Sequence, residues 1–344
     1  MLCGFLDRYD TVIFDMDGVM TSEQNYWNSA ALTVWEYLHL NTDEHMRINP
    51  AECMAKLKEI RARVFCNDEL ISVLKGKGVN SNWDLGYVTV LLTWIVYGRC
   101  VPEDFGGVLE YAVSLGGNIL DEYDRLAVEA HEKSGFSFDW MKRNGLMWNT
   151  MQLMFQEWFL GDRLFKEQYG HTPPFNEGKP GLLFKEEPIV DKEKLKELLK
   201  ELSAEKRLCT GTGRPYIEVL QPITDWDIIK YFAEDGLCNY DHVSAAEKRL
   251  NSNALTKPHP YMFLKALYGT DYEDEKIVNG EYDSERIKKT LIVGDAGSDI
   301  LAAKAMGADF CAVLTGVNGK AERTYFEELK AEYILDCVTD MLLT

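Results

Sequence analysis

Two aspartates spaced one residue apart, in Asp15-Met16-Asp17-Gly18-Val19, follow directly on the apolar run Thr11 to Phe14. Side chains two apart on an extended segment point the same way, so both carboxylates can face one reacting centre. Two such groups can divide the labour, one attacking and the other moving a proton; the same pair could instead hold a cation or shape a turn. Three later segments carry complementary groups. In Thr210-Gly211-Thr212-Gly213-Arg214-Pro215, the Thr210 hydroxyl and the glycine amides from Gly211 onward could hold phosphate oxygens. Lys257, in Thr256-Lys257-Pro258-His259-Pro260, could neutralise an attacking carboxylate together with a bound phosphate. Gly294-Asp295-Ala296-Gly297-Ser298-Asp299 supplies hard oxygen ligands, Asp295 and Asp299, suited to Mg²⁺. Singly these are a Gly-rich turn, a lysine before a proline and an acidic loop. Their order, each after a strand or in a loop, is what carries the argument.

The elements that must position these groups read as alternating strands and helices. Thr11 to Phe14 is short, continuously apolar and rich in β-branched residues, as a strand buried on both faces should be. Similar runs are Leu208 with Cys209, Leu291 to Val293, and Phe310 to Leu314. Helical patterns at Lys192 to Leu202, Tyr216 to Phe232 and Ile300 to Met306 lie between them. Strands alternating with helices predict βαβ units and a parallel sheet, whose ligands sit past the strands' C-terminal ends.

With its order of motifs, this constellation closely resembles the haloacid dehalogenase superfamily, in the phosphatase and β-phosphoglucomutase-like branch with a helical cap inserted after the first strand. The resemblance covers residues 1–21 and about 182–344, and implies a three-layer Rossmann-like α/β core, an aspartyl-phosphate intermediate and a Mg²⁺ cofactor. It assigns Asp15 as nucleophile and metal ligand, and Asp17 as general acid/base with its backbone carbonyl on the metal. Thr210, with Gly211, and Lys257 would hold the transferring phosphoryl; Asp295 would ligate Mg²⁺ and Asp299 would be an outer or alternate ligand. An Asp at position 17 argues against dehalogenation, because a halide leaving group needs no proton. The expected function is a phosphatase acting on a small phosphomonoester. A mutase that returns the phosphoryl to a second hydroxyl would use the same motifs, and a non-catalytic phosphometabolite-binding protein would have little need of both Asp15 and Asp17.

Residues 22–181 differ in texture. They hold seven of the eight tryptophans, with helix-spaced apolar residues such as Leu126 to Lys133 and Met147 to Gln156, and end in the breaker-rich His171 to Gly181. This predicts an all-helical cap domain whose tryptophans are mostly core. Its size suggests a closed site for a small phosphorylated metabolite, and exposed cap tryptophans would allow a homodimer. Within it, Lys75 to Asp84 combines lysines (Lys75, Lys77), glycines, amides (Asn80, Asn82) and Trp83 in an expected loop that would read the non-phosphate part of a substrate. Gly269 to Lys289 reads as a polar surface excursion.

Composition bounds the remaining options. There are 37 basic and 56 acidic residues, a formal net charge of -19, and no basic stripe, so neither nucleic acid nor an anionic membrane is an expected partner. Eight scattered cysteines without a C-x-x-C pair read as reduced thiols of a cytoplasmic protein. No secretory pattern opens the chain, and the longest apolar run, Tyr87 to Tyr97, falls short of the roughly 20 residues of a membrane span.

Overall fold

The computed structural model describes every residue except 43, 80, 253 and 344. The chain forms two compact units: Met1–Glu23 with Glu186–Thr344, and Gln24–Lys185.

The first unit is an α/β core on a six-stranded sheet of order β3-β2-β1-β4-β5-β6, every pairing parallel. The strands are β1 Thr11–Phe14, β2 Arg207–Gly211, β3 Leu237–Cys238, β4 Thr290–Gly294, β5 Asp309–Val313 and β6 Tyr333–Leu335. Alternation along each strand divides the apolar residues between two faces. Val12, Phe14, Leu208, Leu291, Val293, Cys311 and Val313 pack with Leu195, Leu198, Leu199 and Leu202 of the helix Lys192–Ser203. Ile13, Cys209, Ile292, Phe310 and Ala312 pack on the other face with the helices Tyr261–Tyr268 and Gly297–Met306. Covering both faces is what makes the strand runs continuously apolar, and it gives the expected three layers. The strand order reverses between β1 and β4, the switch point at which ligands bind in such sheets.

Two expectations need correction, and two strands are not foreshadowed by the sequence. The helix beginning at Tyr216 ends at Asp225 and not near Phe232: Asp227 is left-handed (φ 58) and a short 3₁₀ turn, Ile229–Tyr231, follows. Strands β3 and β6, of two and three residues, carry too little periodicity to be read from sequence. Gly269 to Lys289 is more than an excursion. It contains the helices Asp274–Val278 and Ser284–Lys288, and the buried Asp274 carboxylate accepts from the Tyr261 hydroxyl at 2.6 Å and from Lys265 at 2.7 Å.

In the second unit the described residues form helices and no strand. Its centre is the helix Asn82–Tyr97, buried from Asp84 to Trp94 without a break, so it is apolar on all sides instead of amphipathic. It packs on the helix Gln24–Leu40, which also packs on Leu146–Tyr169. The last is two helices joined at Gly161 (φ 70, ψ 170), where a Cβ would lie 2.5 Å from the Gly181 nitrogen. Lys179 is fully buried against Glu36, at 2.8 Å, and Glu157, while the Trp158 indole donates to Glu36 at 2.7 Å. No helix among the described residues is long and apolar enough to cross a membrane.

Candidate active site

The site builds itself from strand ends. Asp15, Thr212 and Asp295 are each the first residue beyond the C-terminal end of β1, β2 and β4, three adjacent strands. Asp15 is tied in place by its amide, which donates to the Val293 carbonyl at 2.8 Å, and by its own carboxylate, which accepts from the Met16 amide at 2.8 Å.

Lys257 reaches this edge from the loop before the helix Tyr261–Tyr268. Its Nζ lies 3.0 Å from Asp15 Oδ1 and 2.8 Å from Asp299 Oδ1, with all three side chains nearly buried. Burial opposes the Lys257 charge, yet Asp15 and Asp299 outweigh it and hold its pKa above the ordinary lysine value. Burial also pushes the Asp15 carboxyl up to about 7; Lys257 opposes that shift, while Asp299 and Asp17 add to it. Asp295 is driven well above the carboxylate range by burial first, then by the charges of Asp299 and Asp15.

Carboxyls grouped in this way could hold a cation. One oxygen from each of Asp15, Asp295 and Asp299 can be chosen so that all lie within 4.8 Å of one another. The backbone makes room for them. Gly18 is left-handed (φ +72), and a Cβ there would fall 2.0 Å from Asp295 Oδ2; one on Gly316 would fall 2.2 Å from the same atom. The Gly18 carbonyl is held by the Thr315 hydroxyl. The donor set is oxygen only, which suits a hard divalent cation.

Asp17 is engaged differently. Its Oδ1 accepts from Arg214 Nη2 at 2.6 Å and from the Thr21 hydroxyl at 3.0 Å. Arg214 bonds Glu186 as well, at 2.7 and 2.9 Å.

Of the residues singled out in the sequence, Asp15, Lys257, Asp295 and Asp299 are thus within one cluster, with Asp17 alongside Asp15 in the chain. Thr210 is paired with Phe14, one step back inside the sheet, and its buried hydroxyl has no hydrogen-bond partner among the described residues. Gly211 closes β2, where a Cβ would fall 2.5 Å from the Phe263 ring. Thr212 is a site residue that the sequence does not single out, because the apolar run stops at Cys209 while β2 runs on to Gly211. Arg214 is visible inside the Gly-rich motif, but nothing there gives it a role. Glu186 has no local signal at all; only the return of the chain to the core brings it to Arg214.

The three residues expected to govern substrate choice lie in the helical unit. The connecting segment is short, 77–81, with Lys75 in the helix Glu69–Gly76 and Asn82 opening the next. The Lys77 ammonium bonds the Val113 carbonyl at 3.0 Å and the Leu115 carbonyl, so it holds this connection to a neighbouring helix end. Lys75 Nζ stands 6.0 Å from the Trp27 ring, and Asp84 is buried against Arg143 and Trp148. Asn80 lies outside the described residues.

Residues 254–341, which include Lys257, Asp295 and Asp299, match the HAD-hydrolase-like family model. The chain is similar to a crystal structure solved as a Northeast Structural Genomics Consortium target, with 26% identity, a TM-score of 0.82, and coverage of 96% of this chain and 97% of that one. Over residues 254–341 of the core the chain is similar to the haloacid dehalogenase-like hydrolases. Two further similar structures are a phosphatase from Thermococcus thioreducens (19% identity, TM-score 0.49, 93% and 99% coverage) and a HAD family hydrolase from Deinococcus radiodurans with bound phosphate and sodium (12% identity, TM-score 0.42, 97% and 93% coverage). No curated protein matches the sequence. That likeness agrees with the geometry: two aspartates after β1, a lysine bridging β1's aspartate to the acidic loop after β4, and a hydroxyl after β2.

Proposed function

We propose that this protein hydrolyses a small phosphomonoester through an aspartyl-phosphate on Asp15. The observation that carries the reading is the Lys257 ammonium, 3.0 Å from Asp15 Oδ1 at the sheet's switch point. A carboxylate cannot attack a phosphate dianion unless charge is cancelled beside it, and a buried lysine pinned to the attacking oxygen's carboxylate supplies part of that cancellation.

In this scheme an Asp15 carboxylate oxygen bonds to phosphorus as the ester P–O bond breaks, and the departing oxygen takes a proton from Asp17. Water then attacks the phosphorus of the acyl phosphate and gives a proton to Asp17. Inorganic phosphate leaves and the Asp15 carboxylate is regenerated. Thr212 and the amides of the Gly-rich turn, with Lys257, would hold the non-bridging oxygens. Asp15, Asp295 and Asp299, with the Asp17 carbonyl, would hold Mg²⁺. When bound, the cation would lower the charge between the carboxylates and the phosphoryl group. A helical insertion of this size after the first strand of the sequence fits a small-molecule substrate, and eight free cysteines fit a cytoplasmic setting.

Phosphate release from a panel of sugar phosphates, nucleotides and an aryl phosphate, with and without Mg²⁺, tests the reading beside Asp15→Asn. Metal-dependent release that Asp15→Asn abolishes is the expected result. An isomerised ester in place of free phosphate would convert the assignment to a mutase, and no turnover with metal bound would overturn it.

A further inference from the structure

The Arg214–Glu186 pair has no part in the scheme above, yet it is a buried and doubly hydrogen-bonded ion pair of the core. Arg214 is 1% exposed at the side chain and Glu186 is 3% exposed. Two parallel bonds join them, Nη1 to Oε2 at 2.7 Å and Nη2 to Oε1 at 2.9 Å, and Nη1 also donates to the Glu218 carbonyl at 3.2 Å. The remaining edge of the guanidinium goes to Asp17: Nη2 to Oδ1 at 2.6 Å and Nε to Oδ2 at 3.1 Å. All three guanidinium nitrogens are therefore engaged, and a planar fork with two fixed edges cannot turn without breaking several bonds at once.

Both ends of the clamp are anchored in the backbone. The Arg214 amide donates to Thr212 Oγ1 at 3.3 Å, and its carbonyl accepts from the Tyr240 amide at 2.9 Å. Glu186 is the first core residue after the inserted unit. Just beyond it, Pro188 pairs with Thr21 as an isolated bridge and the Ile189 amide donates to the Met20 carbonyl at 2.9 Å. The Glu186 carbonyl accepts from the Trp226 indole at 3.3 Å. Asp17, by contrast, is 29% exposed at the side chain and is the one carboxylate in this network free to face a reactant.

We infer that Arg214, braced by Glu186, is a positioning residue that sets the direction of the Asp17 carboxylate for leaving-group departure and for hydrolysis of the acyl phosphate. The inference rests on the proposed hydrolase reading. Neither Arg214 nor Glu186 touches the reacting atoms; Arg214 works through Asp17. It follows that losing the fork slows the steps that use Asp17 and spares the capture of the phosphoryl group by Asp15, Lys257 and Thr212.

The test compares wild type, Arg214→Met, Arg214→Lys and Glu186→Gln with an aryl phosphate in Mg²⁺. Three readouts are taken: kcat, KM, and the fraction of enzyme trapped as phosphoenzyme by acid quench. The expected result for both Arg214 variants is a kcat lower by about tenfold or more, KM within about threefold of wild type, unchanged inhibition by inorganic phosphate, and a larger trapped fraction. Glu186→Gln keeps one acceptor for the fork and should fall between these and wild type. If kcat and KM change together with no phosphoenzyme accumulating, the pair is merely structural and the inference fails. It fails equally if Arg214→Lys and Glu186→Gln both match wild type. Should Arg214→Met not fold, Arg214→Lys and Glu186→Gln decide alone. A wild-type enzyme that releases no phosphate and forms no phosphoenzyme would instead sink the hydrolase reading itself, which separates the two failures.

Discussion

Replacing Lys257 by Met tests both the energetics and the chemistry of the site. The substitution keeps the length of the side chain and removes a buried ammonium that pairs with Asp15 at 3.0 Å and Asp299 at 2.8 Å. Breaking a buried pair by deleting one partner costs roughly 3–5 kcal/mol when the remaining charge stays ionised. Here the remaining charge has an escape, because the Asp15 carboxyl titrates at about 7 even with Lys257 beside it. Without Lys257 that value rises further. The variant's folded state then keeps a proton above pH 7 that the wild-type folded state has released and the unfolded chain does not bind. Stability of the variant therefore falls with pH relative to wild type, by about 1.4 kcal/mol for each pH unit above 7. Urea unfolding in EDTA should show Lys257→Met destabilised by about 2–4 kcal/mol at pH 8 and by about 1.4 kcal/mol less at pH 7 and below. Phosphate release should drop by roughly 10²–10³, the usual loss for one donor facing a developing anion. A variant equally stable relative to wild type at both pH values, with turnover within tenfold, would refute the assignment of Lys257 to the centre of this cluster.

Four other outcomes follow from the same geometry. Asp15→Asn removes a buried carboxyl that resists ionising, so in EDTA at pH 8 the variant should be more stable to urea by about 2 kcal/mol while releasing no phosphate. Raised Asp15 and Asp295 values mean that a cation must displace protons, so the rise in Tm on adding Mg²⁺ should grow from pH 5.5 to pH 8; a pH-independent shift would place the cation elsewhere. Gly18→Ala puts a methyl 2.0 Å from Asp295 Oδ2 at a left-handed position, and should cost about 1–3 kcal/mol and weaken Mg²⁺ binding measured by calorimetry. Lys179→Met strands Glu36 and Glu157 in the interior of the helical unit and should lower stability by roughly 3–5 kcal/mol with little change in KM, which thermal unfolding and kinetics would read separately.

How much of the molecule is legible in its sequence depends on how local each signal is. The α/β core shows because β1, β4 and β5 are buried on both faces and so are continuously apolar, and because chemistry-bearing residues sit where those runs stop. Asp15 and Asp295 are found by that rule. Thr212 escapes the same rule, since Thr210 and Gly211 look like loop but pair with Phe14 and β3. β-propensity cannot reveal this, because the pairing is a tertiary decision. Glu186 and the Asp274 network are illegible for a stronger reason. Their partners lie 28 residues away for Arg214 and 13 for Tyr261, and nothing in either neighbourhood marks them. Lys77 is visible as a lysine in a glycine-rich connection, but whether such a lysine faces a ligand or closes a helix end on carbonyls is a matter of packing.

The charge count of the site gives a physical reason for a divalent cation that does not depend on kinship. With every group ionised, Asp15, Asp17, Asp295, Asp299 and Glu186 contribute five negative charges against two positive charges on Lys257 and Arg214, a balance of -3 at one sheet edge. A phosphate dianion approaching that edge meets repulsion from the site and from a surface whose formal charge is -19. Lys257 offsets only part of it, being already shared by two carboxylates, and Arg214 is spent on Asp17 and Glu186. The protein has two means of lowering the balance, proton uptake or a cation. The raised Asp15 and Asp295 carboxyls express the first. Proton uptake, however, would silence Asp15 as a nucleophile, so only the second is compatible with attack on phosphorus. A dication would bring the balance to -1 and leave Asp15 ionised below its present value, the condition the proposed reaction requires.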